Sequence, residues 1–309
     1  MKTALIFPGQ GSQYIGMGIE FFENYSESRE IYDQLNHTLD RDLTNLIFYG
    51  NASELSETQN SQPAIMATSV AIFKALLSEN LLPEGSFQAV AGHSLGEYSA
   101  LVANGGISFN DSVRLLKIRS KAMQDSMPVG TGGMIALIGC EKGIVDYVVN
   151  SASKYGKIYL ANDNADGQIV LSGEINAIEF ISENAKSLNI RRAIKLPVSA
   201  PFHCELMRNA AQILQVEINK INFNKFNADL YSNVTSIKCT ENEIAQLLID
   251  QVVSIVKWRE IMQNMIIDGY SKFIEIGPGN VLTNLIKRTS KNIHAFSISK
   301  IEDLEKLEK

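Results

Sequence analysis

Residues 87–103 constrain this chain more than any other stretch. Phe87-Gln88-Ala89-Val90-Ala91 is a mostly apolar run, Gly92-His93-Ser94-Leu95-Gly96 a turn, and Glu97-Tyr98-Ser99-Ala100-Leu101-Val102-Ala103 a helical pattern. A buried strand that leaves through a tight turn into a helix is the building unit of an α/β fold. Gly-x-Ser-x-Gly at that turn has the form of a nucleophile elbow, which holds a serine strained and exposed at a helix N-terminus. Gly92 and Gly96 are the positions where strand and helix pass too close for a Cβ. The helix start offers free N–H groups and a positive dipole end to a developing oxyanion, and the N–H of Leu95 is expected to be one such donor. The five-residue pattern alone arises by chance in roughly one 300-residue chain in ten. The flanking strand and helix are what make it specific.

The remainder alternates strands with helical patterns, which implies a parallel sheet covered on both faces. Residues 4–7 are all apolar, as in a buried parallel strand, and lead into Pro8-Gly9-Gln10-Gly11-Ser12-Gln13. That loop reads either as a tight turn or as a place where backbone N–H groups approach a ligand. Helices are expected over 27–39 and 63–77, with Pro63 in the first turn of the second. A further helix, capped by Asn110 or Asp111, runs to about residue 127. Towards the C-terminus, strands at 230–234, 273–276 and 293–298 alternate with helices at 241–256, 258–267 and 281–288. Gly277-Pro278-Gly279 is a sharp turn of structural origin.

Between residues 130 and 196 the pattern changes to strand 134–138, helix 141–151, strand 158–161, turn 163–167, strand 169–171, helix 175–188 and strand 191–196. The order βαββαβ is that of a ferredoxin-like unit. The expected organisation is a large α/β-hydrolase-like, parallel-sheet body formed by 1–129 and 197–309, carrying a small ferredoxin-like subdomain at 130–196. A cleft between them is where a ligand would bind.

Arg119 is the most informative misfit. It sits four residues from both Leu115 and Met123, so a cation projects along the apolar stripe of its helix. A buried arginine needs a partner, either an internal carboxylate, the commoner solution, or the anion of a ligand. Four histidines leave few choices of general base. His93 adjoins the serine and is expected to point away from it, and His37 and His294 carry no further signal. His203, in Pro201-Phe202-His203-Cys204 at the start of a helical pattern, is the base by elimination. Cys204 is a rival nucleophile, but no glycine turn serves it.

The three cysteines, Cys140, Cys204 and Cys239, show no CxxC spacing, so neither a disulfide framework nor a zinc site is expected. A net charge of -6 argues against nucleic acid or an anionic membrane as partner. With no signal peptide and no apolar run of about 18 residues, a cytoplasmic location is expected.

Taken together, Phe7-Pro8-Gly9-Gln10-Gly11-Ser12-Gln13, Gln62-Pro63-Ala64, Gly92-His93-Ser94-Leu95-Gly96-Glu97-Tyr98, Arg119, Pro201-Phe202-His203-Cys204 and Gly277-Pro278-Gly279 closely resemble the malonyl-CoA:acyl carrier protein transacylase family, in order and spacing over nearly the whole chain. The resemblance implies malonyl transfer from malonyl-CoA to the pantetheine thiol of acyl carrier protein, in fatty-acid synthesis, through a malonyl-serine. It makes Ser94 the nucleophile, His203 its base, and Gln10 and Leu95 the backbone donors of the oxyanion hole. Arg119 would hold the malonyl carboxylate, and the backbone carbonyl of Gln251 would orient the histidine. Met123, Asn162 and Phe202 match positions near the acyl pocket. Ser120 and Phe202 depart from the family's commonest residues, glycine and serine. A phenylalanine at the second position accompanies malonyl rather than methylmalonyl selectivity in related transferases.

The resemblance implies no cofactor and no metal, CoA thioester being a substrate, and a monomer is expected. Lys287-Arg288 and Arg191-Arg192 with Lys195 are candidate faces for an acidic carrier protein, or ordinary solvated charge. The rival readings are a serine hydrolase or thioesterase, a transacylase of polyketide or malonate decarboxylase systems, and a non-catalytic carrier-protein binding module.

Overall fold

The computed structural model describes residues 1–83, 85–290 and 292–307. Ten strands among them form two sheets: β1 Lys2–Phe7, β2 Ala89–Gly92, β3 Gly132–Ile138, β4 Ile158–Ala165, β5 Gln168–Glu174, β6 Arg192–Lys195, β7 Asp229–Tyr231, β8 Lys238–Cys239, β9 Tyr270–Ile276 and β10 His294–Ile298. The larger sheet has the order β10-β9-β1-β2-β7-β8 and is parallel except for β8. Central position explains why 4–7 is uninterrupted by polar residues. Leu5 and Phe7, with Val90 of β2, face one helical layer, while Ala4 and Ile6, with Ala89 and Ala91, face another. The first layer includes the helices Ser26–Leu39, Thr58–Ser78, Phe109–Asp125 and Arg208–Ile218. The second is built from Trp258–Ile267 and Val281–Thr289.

The smaller sheet is antiparallel with the order β4-β5-β3-β6, and the helices Val145–Ala152 and Ile175–Glu183 pack on it around Ile135, Leu137 and Leu171. This is the βαββαβ arrangement expected of the insertion. It is tied to the body through the end of β4. Val256 donates its N–H to the carbonyl of Ala161 (2.9 Å) and accepts from the N–H of Asp163 (3.0 Å). The Arg259 guanidinium grips the Asp163 carboxylate with two hydrogen bonds of 2.8 and 2.7 Å.

Three local expectations are corrected. Residues 163–165 belong to β4 rather than to a turn, because the Val256 backbone and Arg259 supply partners beyond the sheet's own ladder. Pro63 lies in the sixth position of a helix that begins at Thr58. The proline lacks the N–H that would bond the Gln59 carbonyl, and Arg41 Nη2 donates to that carbonyl instead (3.3 Å), which helps the helix continue through a residue that would otherwise disrupt it. The cap of the Phe109–Asp125 helix is Ser108, whose hydroxyl accepts from the Asp111 N–H, not Asn110 or Asp111. The sharp 277–279 turn follows β9, with Gly277 at φ +141° and Gly279 at φ +78°. Glu275, at the end of β9, turns its buried carboxylate onto the N–H groups of Leu282 and Thr283 (3.1 and 2.7 Å), an N-terminal cap for the following helix.

Candidate active site

The site lies beyond the carboxyl ends of three neighbouring strands, β1, β2 and β7, where an open α/β sheet characteristically places its ligand. β1 leads to Gln10, β2 to Ser94 and β7 to Asn233. Ser94 has φ +53°, the left-handed region that a side chain enters only when held there. Asn233 accepts the Ser94 N–H (2.7 Å) and donates to the Gly92 carbonyl (2.7 Å), while Gln251 Nε2 donates to the Ser94 carbonyl (3.0 Å). The glycines act as anticipated. A Cβ on Gly92 would lie 1.9 Å from the Gly96 carbonyl oxygen, and one on Gly96 would lie 2.3 Å from that of Phe7. Since both obstacles are backbone, Gly92→Ala should destabilise the fold by about 3 kcal/mol or more. A urea midpoint equal to that of the unaltered protein would show that the turn is not under this constraint.

Ser94 Oγ is 2.7 Å from His203 Nε2, and His203 Nδ1 is 2.9 Å from the carbonyl oxygen of Gln251. A carbonyl only accepts, so the proton sits on Nδ1 and the Nε2 lone pair faces the hydroxyl. Burial first, and then the nearby Arg119 charge, push the His203 pKa down to about 3. The imidazole is therefore neutral and ready as a base through the physiological range. The sign is definite: the depressed value moves protonation to lower pH. Single-turnover acylation should show no acid limb near pH 6.5 between pH 5 and 8, and a limb there in rapid-quench measurements would contradict this environment.

Arg119 is 1% exposed. Its Nη1 donates to Gln62 Oε1 (2.6 Å), and its Nη2 donates to Gln251 Oε1 (2.8 Å) and Ser94 Oγ (3.0 Å). Its Nε, also buried, has no partner, and the Tyr98 ring lies 5.7 Å from the guanidinium carbon. The internal carboxylate that sequence favoured is present only as a neighbour. Glu97 is wholly buried and feels the Arg119 charge, yet no salt bridge joins them among the described residues. Burial pushes the Glu97 pKa up to about 8, against the pull of its hydrogen bonds to Gln251 and Asn233. A guanidinium thus stands beside the hydroxyl with amides, rather than anions, as direct partners.

Ser94, His203 and Arg119 border one cavity of about 140 Å³, together with Gln10, Leu95, Met123, Asn162 and Phe202. Gln251 stands behind its wall, with no exposure. Met134 and Asn162 come from the smaller sheet, so both sheets contribute to the cleft. Among the described residues the backbone N–H groups of Gln10 and Leu95 have no hydrogen-bond acceptor. His93 borders the cavity, but its Nε2 is engaged with Asn164 Oδ1 (2.8 Å), and its ring lies near Trp258. His37 and His294 are exposed. Cys204 is buried, its thiol donates to the Pro201 carbonyl (3.0 Å), and burial pushes its pKa up to about 12, which removes it as a nucleophile. The basic residues at 191, 192, 195, 287 and 288 are exposed and none borders this cavity.

Asn233, Gln62 and Glu97 have contacts that no sequence reading assigned. The available signal was polarity out of place: Ser232-Asn233 directly follows a buried strand, and Glu97 interrupts a helix whose other residues are nearly all small or apolar. Among the described residues no group of three or more His, Cys, Asp or Glu could hold a metal ion, and no helix is long and apolar enough to cross a membrane.

A strained serine hydrogen-bonded to a neutral imidazole, on a parallel α/β sheet, is the arrangement of a serine-dependent acyl-transfer enzyme. Residues 4–306 match the acyl transferase domain family. The malonyl CoA-acyl carrier protein transacylase of Bacillus subtilis strain 168 is 40% identical over 306 residues, 98% of this chain and 95% of its own length. The crystal structure of acyl-carrier-protein-S-malonyltransferase from Bartonella henselae superposes with a TM-score of 0.95 at 41% identity, covering 99% of this chain and 98% of that one. A malonyl-transacylase solved in complex with its type II polyketide acyl carrier protein gives 0.94 at 34% identity, covering 99% of both chains. The chain belongs to the malonyl-CoA:acyl carrier protein transacylase family of acyltransferases.

Proposed function

We propose that the protein moves a malonyl group from malonyl-CoA to the pantetheine thiol of an acyl carrier protein, with Ser94 as covalent carrier. His203 Nε2 takes the hydroxyl proton as Ser94 Oγ forms its bond to the thioester carbon. The C–S bond then breaks, and CoA leaves with the proton from the imidazolium. In the second half, the carrier thiol gives its proton to His203, sulfur attacks the malonyl-serine ester, and Ser94 regains the proton as the C–O bond breaks. The N–H groups of Gln10 and Leu95 hold the oxyanion at each tetrahedral stage. The Gln251 carbonyl keeps His203 in the tautomer this exchange needs.

The observation that carries the substrate assignment is the Arg119 guanidinium, 3.0 Å from Ser94 Oγ and without a carboxylate ion-pair partner among the described residues. Its planar fork matches a carboxylate, which a neutral acyl chain lacks, so a hydrolase of neutral esters has no use for it. Met123, Asn162 and Phe202 are assigned to the acyl pocket wall. Residues 130–196 act as the small subdomain of that wall, with 1–129 and 197–309 as the body, and the protein functions as a cytoplasmic monomer that needs no cofactor. Intact-protein mass spectrometry after exposure to malonyl-CoA tests the first half, and release of the adduct to holo-carrier protein the second. Adduct lost to water at the same rate with and without carrier protein would favour a hydrolase.

A further inference from the structure

Glu97 does not border the Ser94 cavity, and among the described residues no hydrogen bond or salt bridge joins it to His203 or Arg119, yet the polar contacts of the site converge on it. Its Oε1 accepts the backbone N–H of Asn233 (3.2 Å), and its Oε2 accepts from Gln251 Nε2. Asn233 is the residue whose side chain holds the Ser94 N–H and the Gly92 carbonyl. Gln251 is the residue whose backbone carbonyl faces His203 and whose side-chain oxygen receives Arg119. Glu97 thereby closes a ring of hydrogen bonds around the serine: Ser94 N–H to Asn233, Asn233 N–H to Glu97, Gln251 Nε2 to Glu97, and Gln251 Nε2 to the Ser94 carbonyl. The other three members of that ring, Glu97, Asn233 and Gln251, are fully buried. A side-chain amide can rotate so that its oxygen and nitrogen exchange places. If Gln251 did so, Arg119 would meet an NH2 group instead of an acceptor. The Ser94 carbonyl already opposes that exchange, and Glu97 Oε2 is a second acceptor facing Nε2 that adds to its cost.

We propose that Glu97 is a positioning residue that fixes the orientation of the Gln251 amide, and through it the direction in which Arg119 presents its charge to the acyl carboxylate. This rests on the malonyl-transfer reading above and extends it from the residues that line the cavity to one that does not. Gln251 Nε2 also holds the Ser94 carbonyl, which serves every acyl group, whereas the direction of the Arg119 charge matters only to an acyl group that carries a carboxylate, so a loss confined to malonyl-CoA reports on Arg119. Glu97→Gln preserves volume but leaves one acceptor oxygen for two donors, so an NH2 group meets either Gln251 Nε2 or the Asn233 N–H. It should raise the KM for malonyl-CoA about 10- to 100-fold, the range expected when one buried hydrogen bond to a charged group is misdirected. Acetylation of Ser94 by acetyl-CoA, which has no carboxylate to orient, should lose at least about 3-fold less than malonylation does.

The experiment is single-turnover acylation by each thioester, followed by rapid-quench mass spectrometry, on the full-length protein carrying Glu97→Gln and separately Glu97→Asp. The second variant keeps an acceptor but withdraws it by one methylene, so a folded protein is available if the first proves unstable. A selective loss of malonyl affinity in either variant supports the proposal. Unaltered malonyl kinetics in a folded variant, or an equal loss with both thioesters, would assign Glu97 to packing alone. The function reading is tested separately by the unaltered protein: if that forms no malonyl-serine, the failure lies there and not with Glu97.

Discussion

Ser94→Ala is expected to form no malonyl-enzyme at all, and steady-state transfer to carrier protein should fall by at least about 10⁴-fold. The expectation follows from the geometry around Oγ. One hydroxyl is shared by His203 Nε2 at 2.7 Å and Arg119 Nη2 at 3.0 Å, and the thiol of Cys204, next to His203 in the chain, is held protonated by burial. Ser56, which also borders the cavity, donates its hydroxyl to the Ala52 carbonyl (2.8 Å) rather than to an imidazole. The variant should fold, because the constraints on the turn act through the backbone of residue 94 and through Gly92 and Gly96, not through Oγ. Intact mass after incubation with malonyl-CoA reads the result directly. An adduct of malonyl mass on Ser94→Ala would move the covalent step to another residue and end the assignment.

Arg119→Ala carries the second large effect, and on selectivity rather than on chemistry. On the proposed reading a malonyl carboxylate gains a buried guanidinium in the unaltered protein, whereas an acetyl group leaves that charge facing an apolar methyl. Removing one member of a buried ion pair costs about 3 to 5 kcal/mol. The preference for malonyl-CoA over acetyl-CoA should therefore fall about 10²- to 10⁴-fold. Comparing the two thioesters on the same variant cancels any disturbance that the lost contacts to Gln62 and Gln251 cause at Ser94, since both acyl groups pass through the same hydroxyl. Arg119→Lys should retain part of the preference, because it keeps the charge and loses the fork. Competition between the two thioesters, read as the ratio of adducts, measures the change. An unchanged ratio in Arg119→Ala would show that the malonyl carboxylate binds elsewhere.

Much of this was legible before any coordinates. The elbow is local, since its glycine spacing, its apolar strand and its helix occupy one continuous stretch. The same holds for the βαββαβ insertion, whose strand and helix periods switch over short distances. His203 emerged by elimination from four histidines, and Arg119 because a cation on an apolar stripe violates the pattern around it. Less visible were residues whose surroundings come from distant chain. Pro63 reads as a helix start because nothing nearby announces that Arg41 will occupy the carbonyl it leaves free. Residues 163–165 read as a turn because the backbone that extends β4 belongs to Val256. Asn233 looks like an ordinary loop residue until the order of strands places it beside Ser94.

What the amino-acid order settled by itself was the set of elements and the chemical type of each functional group: an elbow serine, one plausible imidazole, one buried cation. These depend on periodicities and steric demands that act over a few residues. Tertiary structure alone decided that the three groups meet, because Arg119 and His203 lie 25 and 109 residues beyond Ser94. Their approach depends on β1, β2 and β7 being neighbours and on helices that cross the ends of those strands. It alone also decided that amides rather than carboxylates surround the guanidinium, the charge that the proposed reading pairs with the malonyl carboxylate.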